Sequence, residues 1–211
     1  MSAGAGRVWN GQSPEDRRRD RRARLLDAGL EIMGTQGGRA VTIRALCRQT
    51  HISERHFYEL FTSKDEFLAA VYDSVLSDGA LLVADLEPGS PDEPGDVLRY
   101  LLGAWIEFIA SDPRRGRIIA VEGATNAALA RRGRAMASHL MSAYLDHAGS
   151  SAPVAPMDPA EAEVVSTVLF VGMWGLLLAW QGDDLENPMS KDELVTHLVA
   201  LITRAQPGSA S

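Results

Sequence analysis

Two short amphipathic segments, separated by about three residues, constrain the fold of this chain more than any other feature. They lie in residues 42–61, TIRALCRQTHISERHFYELF. In each segment, apolar residues recur at i, i+3 and i+4, the spacing of one helix face. They are Ile43, Leu46 and Cys47 in the first segment and Phe57, Leu60 and Phe61 in the second. Two short helices joined by a tight turn form a helix-turn-helix, whose second helix fits the major groove of DNA. The pattern therefore predicts DNA binding.

The residues around the two segments support this interpretation. Thr42 and Ser53 stand just before the first and second helix, where a hydroxyl can accept a hydrogen bond from a free backbone N–H. Ile52 stands in the turn, and we expect it to fill the angle between the helices.

Charge is distributed unevenly along the chain. The whole chain has a net charge of −7, which alone argues against a nucleic-acid partner. Residues 1–64 hold 12 Lys and Arg against 7 Asp and Glu, a net of +5, so the remaining residues carry −12. An arginine cluster precedes the first helical pattern, and clusters of this kind bind phosphates. Its members are Arg17, Arg18, Arg19, Arg21, Arg22 and Arg24. A solvated helix start is the alternative interpretation of this cluster.

The rest of the chain is also helical in pattern and contains no credible strand. We therefore expect an all-α protein of about nine helices. Besides the two short helices, the predicted helices span residues 14–35, 64–86, 97–110, 114–122, 125–148, 159–181 and 190–205. A stretch rich in Gly and Pro over 89–95 separates the helices 64–86 and 97–110, and another over 149–159 separates the helices 125–148 and 159–181.

These boundaries predict four parts of the chain. Residues 1–13 form a disordered arm, and residues 14–63 form a three-helix DNA-binding domain. Residues 64–206 form a larger helical domain for ligand binding and dimerisation. A disordered tail follows over residues 207–211.

One uncharged segment, residues 164–180 (VVSTVLFVGMWGLLLAW), allows three interpretations. Its length is at the lower edge of what spans a bilayer, but acidic residues flank it and no basic residue does. A helix that is apolar all round is otherwise buried in protein. Gly172, Gly175 and Ala179 allow another helix to approach closely. We favour a dimer helix that joins the helix over 190–205 in a four-helix bundle across a two-fold axis, over a purely intrachain core or a membrane span.

Enzyme motifs are missing from the sequence. The histidines lack metal-ligand spacing, and neither a GxSxG motif nor a phosphate-binding Gly loop occurs. Cys47 is the single cysteine, and its place on an inward helix face indicates a small buried hydrophobe. We expect no enzyme, no cofactor and no metal. The N-terminus lacks the apolar core of a secretory signal, so we expect a cytoplasmic protein.

Residues 25–72 resemble the TetR family of bacterial transcription regulators. The matching stretches are LLDAGLEIMGTQGGRAVTIRALCRQTHIS and FYELFTSKDEFLAAVYD. The resemblance covers about the first third of the chain, and its most specific part combines aromatic, lysine and acidic residues. These are Phe57, Tyr58, Phe61, Lys64, Asp65, Phe67 and Leu68. The number and order of the later helices are similar to the ligand-binding and dimerisation domain of the family.

The resemblance also implies roles for individual residues. Thr42, Tyr58 and Lys64 would contact DNA phosphates. At the start of the second motif helix, Glu54, Arg55 and His56 would face base edges, and an arginine there can donate two bonds to guanine. Packing for Tyr58 and a plain helix-end charge for Glu54 are the alternatives. The remaining predicted DNA-binding residues are Arg44, Ser53, Arg17, Arg18 and Arg21.

Two positions depart from the family pattern. His51 stands in the turn where the family has glycine, and we expect a positive φ there, which histidine tolerates better than most residues. Arg55 stands where many members have a small residue, so sequence preferences for DNA do not carry over.

These observations predict a homodimeric repressor that binds a pseudo-palindromic operator and is released by a small apolar effector. An activator, or a DNA-binding protein without an effector, is the alternative. The identity of the effector, the operator and the regulated genes do not follow from the sequence. The predicted ligand-binding residues are Trp105, Phe108, Glu122, Asn126, His139, Met141, Tyr144, Phe170 and Trp174, although aromatic and Met residues at helical spacing are more often plain core.

Overall fold

The structure, a computed structural model of the chain, describes residues 13–84, 94–147 and 159–205. Within these ranges the chain is built of helices and short connections, without a strand. The predictions of a disordered arm, of a disordered tail and of the loop over 149–158 lie outside the described residues, as does most of the loop over 89–95.

The first four helices of the protein form its N-terminal part. They are α1 (Pro14–Gln36), α2 (Ile43–Thr50), α3 (Glu54–Tyr58) and α4 (Lys64–Ala84), with a short 3-10 turn, Gly38–Ala40, between α1 and α2. The starts of the four helices agree with the predicted capping signals and periodicity. Helix α3 ends at Tyr58, so Leu60 and Phe61, which were predicted to lie on its apolar face, follow it in the connection to α4.

Five further helical segments complete the described chain. They are α5 (Pro94–Ala110), α6 over residues 113–125, α7 (Ala127–His147), α8 (Pro159–Gln181) and α9 (Lys191–Ala205). Segment α6 is one continuous helical run made of an α turn, Pro113–Arg117, a π turn, Ile118–Glu122, and a last α turn, Gly123–Thr125. The expected all-α fold of about nine helices is confirmed.

Helix α1 begins as its sequence predicts. The Ser13 hydroxyl accepts from the backbone N–H of Asp16 at 3.0 Å, and the Asp16 carboxylate accepts in return from the backbone N–H of Ser13 at 3.1 Å. This reciprocal pair is a capping box. The bonds from Ser13 hold the pKa of Asp16 below its usual value. Pro14 occupies the first helical position, where its missing N–H costs nothing.

The first hydrophobic core joins α1 to the two short helices and to α4. Its centre is an aromatic cluster in which Phe57 lies 5.5 Å from both Phe61 and Phe67, measured between ring centroids. Phe61 and Phe67 meet edge to face at 5.0 Å, an arrangement that aromatic rings prefer. Leu25 and Met33 of α1 are fully buried against this core. The helix-turn-helix therefore sits on a rigid base.

The second core lies between α5, α8 and α9. It consists of buried aliphatic side chains, namely Val97, Leu98, Leu102, Ile106, Leu177, Leu194, Val195, Leu198, Val199 and Ile202. The half-buried Trp174 packs against both cores and so connects them. Two side chains fix the end of α8, because Trp180 donates to the carbonyl of Met189 at 2.8 Å and Gln181 donates to the carbonyl of Ile109 at 3.1 Å.

No described helix combines the length and the apolar character that crossing a membrane requires.

Candidate nucleic-acid interface

Both short helices of the motif begin with the predicted caps. The Thr42 hydroxyl accepts from the backbone N–H of Ala45 at 3.1 Å, and the Ser53 hydroxyl accepts from that of His56 at 3.4 Å. Each bond satisfies one of the N–H groups that a helix start leaves without a partner. The caps fix where α2 and α3 begin, and therefore which side chains their first turns present.

The turn between the helices has the expected left-handed residue. His51 ends α2 with φ 56° and ψ 30°, so the prediction of a positive φ at this position is confirmed. The Ile52 side chain is buried and fills the angle between the helices, as predicted. Cys47 is only half-buried at the edge of the first core, and burial raises the pKa of its thiol, with Glu54 adding a smaller effect.

A shallow groove of about 460 Å³ opens where the first turns of α2, α3 and α4 meet. Four of the predicted DNA-binding residues line it: Thr42, Arg44, Glu54 and Lys64. Val41 and Ile43 form its apolar floor. The structure thus gathers residues from three helix N-termini on one concave surface. Because a helix N-terminus presents free N–H groups and a partial positive charge, such a surface suits an anion.

The exposed face of α3 carries the other predicted contacts. The Arg55 side chain is 86% exposed, and its Nε lies 3.2 Å from Oε1 of Glu59. Tyr58 is 54% exposed, with its ring edge to face on Phe57 at 5.6 Å between centroids. The His56 ring is oriented by its neighbour, since its Nδ1 lies 3.0 Å from the Ser53 hydroxyl. These side chains project from one short helix.

Part of the arginine cluster holds α1 on the motif. Arg24 donates to the backbone carbonyl of Thr50 at the end of α2. Arg22 lies over the Phe61 ring, 5.7 Å from its centroid. The Arg18 guanidinium reaches the carbonyl of Glu59 at 3.4 Å. Sequence reasoning did not find these anchoring roles for Arg22 and Arg24, although cations are known to favour helix C-termini.

The other predicted arginines of α1 differ in exposure. Arg17 is exposed. Arg21 is half-buried, and its Nε is buried without a hydrogen-bond partner in the part of the chain that the structure describes. A DNA contact for Arg17, Arg18 and Arg21 stays a prediction.

The α6 segment packs directly on the N-terminal part. Arg114 pairs with Asp112 at 2.7 Å and with Glu31 of α1 at 2.5 Å. The hydrogen bonds from Arg114 hold the pKa of Asp112 below its usual value. Glu122 accepts from the backbone N–H of Gly38 at 2.9 Å. The predicted ligand residue Glu122 therefore has a partner, Gly38, in the N-terminal part. Sequence reasoning did not identify the role of Arg114.

Three of the predicted ligand-binding aromatics form one cluster. Trp105 lies 5.7 Å from Phe108 and 6.4 Å from Trp174, both edge to face. The Trp105 ring packs closely on Gly79 of α4. A Cβ at Gly79 would lie only 2.5 Å from the ring, so this contact requires glycine. Phe108 also borders an open groove of about 600 Å³ between α4 and α5.

Of the remaining predicted ligand residues, the structure describes the side chains of Asn126 and His139. The Asn126 side chain caps α7, where its Oδ1 accepts from the backbone N–H of Ala128 at 2.9 Å and of Leu129 at 3.3 Å. His139 is exposed. The side chains of Met141, Tyr144 and Phe170 lie outside the described residues. No metal site arises within the described ranges, where groups of three or more His, Cys, Asp or Glu with suitable placement do not occur.

A buried tyrosine lies beside α6. Tyr72 of α4 is fully buried, and its hydroxyl has no hydrogen-bond partner within residues 13–84, 94–147 and 159–205. Burial, and to a lesser degree Asp73, raises the pKa of Tyr72 well above its usual value. A Cβ at Gly123 would lie 2.8 Å from this hydroxyl, so the glycine leaves room for it. Next to Tyr72, Asp73 pairs with Arg132 of α7.

The helix-turn-helix region matches a known family model. Residues 25–71 match the model described as bacterial regulatory proteins, tetR family. No curated protein sequence matches the chain.

Solved structures of transcriptional regulators have a similar fold. One from Rhodococcus sp. Rha1 is 20% identical, with 88% of this chain and 97% of that chain covered and a TM-score of 0.63. A tetR-family regulator from Streptomyces coelicolor is 20% identical, with 88% and 80% covered and a TM-score of 0.62. The regulator FadR from Bacillus subtilis, solved in complex with stearoyl-CoA, is 12% identical, with 85% and 96% covered and a TM-score of 0.62. The chain is therefore similar to TetR-family transcriptional regulators, since the family model matches its helix-turn-helix region and these solved structures share its fold over most of its length.

Proposed function

We propose that the protein is a homodimeric repressor that binds a pseudo-palindromic DNA operator and is released by a small apolar effector. In this proposal residues 14–63 bind DNA and residues 64–206 bind the effector and the second copy, in the cytoplasm and without a catalytic step. The observation that best supports the proposal is the groove beside the exposed face of α3. It is lined by Thr42, Arg44, Glu54 and Lys64.

The surface around α3 has the chemistry of a DNA contact. A phosphate at the groove would meet the helix N-termini and the Lys64 ammonium, which add to each other. Arg55 and Tyr58 extend from the same side of the motif into solvent. An arginine that reads guanine in the major groove discriminates against other bases by about 1–3 kcal/mol. The charge of +5 on residues 1–64 brings this end of the molecule to DNA.

An exposed apolar stripe on α8 supports the dimer. Val164, Val168 and Val171 are 62%, 64% and 57% exposed, and they share one helix face. A Cβ at Gly172 or Gly175 would have no neighbour within 4 Å. Exposed apolar surface of this kind marks a protein interface, and regulators of this family are typically dimers. The two-fold axis would set two copies of α3 about 34–36 Å apart, one turn of DNA.

The apolar effector is supported by the aromatic cluster of Trp105, Phe108 and Trp174, which lies where the two cores meet. Regulators of this family bind small-molecule effectors, and the Bacillus subtilis FadR structure holds stearoyl-CoA. A long apolar chain inserted between the cores would displace these rings. Coupling of about 1–3 kcal/mol between effector and DNA is the usual scale of allostery.

A selection experiment tests the proposal. The purified protein is used to enrich duplexes from a random-sequence pool, and the enriched duplexes are sequenced. We expect an inverted repeat whose half-sites lie one helical turn apart, and release of the bound duplex by a fatty acid or acyl-CoA from a panel of apolar compounds. Enrichment of no sequence above the random pool contradicts specific repression and leaves a general DNA-binding protein. If no apolar compound in the panel releases the bound duplex, the proposal of an apolar effector is contradicted.

A further inference from the structure

Glu122 belongs to the C-terminal helices, but its carboxylate bonds to the backbone of the DNA-binding half. The backbone N–H of Gly38 donates to Oε1 of Glu122 at 2.9 Å across 84 residues of sequence. Gly38 begins the 3-10 turn Gly38–Ala40, which leads to the Thr42 cap of α2. Because an ionised acceptor strengthens a hydrogen bond about twofold, this bond fixes the entrance of the helix-turn-helix against α6.

The backbone around Gly38 is shaped to receive the carboxylate. Gly37 has φ 90°, a conformation that favours glycine. A Cβ at Gly38 would lie 2.7 Å from Oε2 of Glu122, closer than two such atoms can approach. Gly38 itself has no positive φ, so its missing side chain serves the close approach and not the backbone conformation.

The position of Glu122 in α6 makes the contact sensitive to the state of that segment. Glu122 is the last residue of the π turn Ile118–Glu122. A π turn closes its hydrogen bonds over one more residue than an α turn, and π turns occur often at functional sites. Tightening this turn into an α turn would rotate Glu122 by about 100°, the angle of one helical residue. The carboxylate would then leave the N–H of Gly38.

Arg117 offers the displaced carboxylate a second partner. It stands immediately before the π turn, and its Nε is buried with no hydrogen-bond partner in the described parts of the chain. Its Nη2 lies 3.7 Å from the position of a Cβ on Gly37, and the Glu122 carboxylate lies 3.3 Å from the same point. The Arg117 guanidinium therefore lies within about 7 Å of the carboxylate, near enough to become its donor after a small movement of α6.

We propose that Glu122 is a positioning residue for DNA binding, whose hydrogen bond to Gly38 holds the helix-turn-helix in the orientation that fits DNA. Transfer of the carboxylate to Arg117 releases that orientation. The inference rests on the proposed function, because it names the contact through which α6 would act on the DNA-binding half.

The test compares Glu122→Ala and Glu122→Gln with the wild-type protein on two probes, a duplex selected by the wild-type protein and a duplex of random sequence. We expect Glu122→Ala to bind the selected duplex about tenfold more weakly, the scale of a lost hydrogen bond to a charged group, and the random duplex no more weakly. Removing one negative charge changes the net charge from −7 to −6, so electrostatics alone would strengthen binding. Glu122→Gln keeps an acceptor oxygen and should stay within about threefold of wild type.

Gly38→Ala tests the same contact from the other side. Its methyl group displaces the carboxylate, so we expect the same loss as for Glu122→Ala, and no further loss when the two are combined, because both remove one interaction. Gly103→Ala, at a helical glycine with nothing within 4 Å of a Cβ, is the matched control. Glu186→Ala, which removes an exposed carboxylate from the loop after α8, controls for charge.

Hydrogen–deuterium exchange of the Gly38 amide provides a readout that needs no DNA. The amide should exchange faster in Glu122→Ala than in wild type, while the amides of α4 stay protected. Selected-duplex binding by Glu122→Ala within twofold of wild type overturns the inference, and so does an equal loss on both duplexes or an unchanged Gly38 exchange rate. If the wild-type protein selects no duplex, the proposed function fails instead, and the exchange rate alone still decides whether the contact exists.

Discussion

Two residues of this protein are in locally unfavourable states, one because of its backbone conformation and the other because of a buried polar group. His51 holds a left-handed conformation at the end of α2, in the turn on which the angle between α2 and α3 depends. The Tyr72 hydroxyl, buried in the first core, has no hydrogen-bond partner among the residues that the structure describes. Each unfavourable state involves a single residue, so one substitution can measure its effect on the free energy of unfolding.

His51→Gly and His51→Val should shift stability in opposite directions. Glycine adopts the left-handed conformation freely, whereas a β-branched side chain in it is a steric outlier. We expect His51→Gly to keep or raise the free energy of unfolding and His51→Val to lower it by about 1–2 kcal/mol. Urea unfolding measures both. At the helical position Gln49 the order should reverse, since glycine weakens a helix. A valine variant at least as stable as the glycine variant contradicts the account of the turn.

Tyr72→Phe should stabilise the protein. The substitution removes a buried hydroxyl that has no partner in the described chain, and leaves the ring in place. An unsatisfied buried donor costs about 1–3 kcal/mol, so we expect the free energy of unfolding to rise by about 1 kcal/mol. Tyr100→Phe, at a partly exposed tyrosine, should change it little. Lower stability of Tyr72→Phe, measured by thermal unfolding, would show that the hydroxyl is satisfied.

At the scale of elements, helix ends and faces were predicted well and contacts between distant elements were not. The hydroxyls of Thr42 and Ser53 each accept a hydrogen bond from the backbone N–H three residues later. Both partners of a cap therefore lie in one short stretch of sequence, which makes the cap predictable. The bond between Gly38 and Glu122 spans 84 residues. Nothing in the local sequence around Gly37 and Gly38 shows that a carboxylate from α6 fills the space beside them.

In the candidate site, too, local features could be predicted from the sequence and contacts between distant elements could not. The residues of α3 follow from the motif and its periodicity. Arg24, by contrast, contacts the carbonyl of Thr50, and only the packing of α1 across α2 brings the two together. Glu122 and Asn126 were predicted to supply polar contacts to a ligand. The structure gives both of them backbone partners, which periodicity cannot show.

A charge placed in the exposed stripe of α8 should separate the proposed dimer. Val168→Glu puts a carboxylate where the account buries a valine against a second copy, and an unpaired buried charge is costly. We expect the mass measured by analytical ultracentrifugation to fall from that of a dimer to that of a monomer at micromolar concentration. Leu82→Glu, at another exposed apolar residue, should leave the dimer intact. A dimeric Val168→Glu protein places the interface elsewhere.

At the scale of the whole molecule, the two ends of the chain carry opposite charge. The acidic remainder, at −12, opposes close approach to DNA except at the end that carries +5. The same separation of charge would orient the proposed dimer, because two cationic ends on one side of a two-fold axis would face one duplex. The fold places α6 between this end and the later helices, where it contacts α1 and the turn before α2.

The most direct test of the central claim is the affinity of Arg55→Ala for the duplex that the wild-type protein selects, measured by fluorescence anisotropy at fixed salt. Arg55 is exposed at the start of α3, so we predict a loss of about 1–3 kcal/mol and relaxed preference at one base pair of each half-site. Arg99→Ala, at an exposed residue of α5, should bind as the wild-type protein does. Unchanged affinity and unchanged base preference in Arg55→Ala would contradict recognition of DNA through α3.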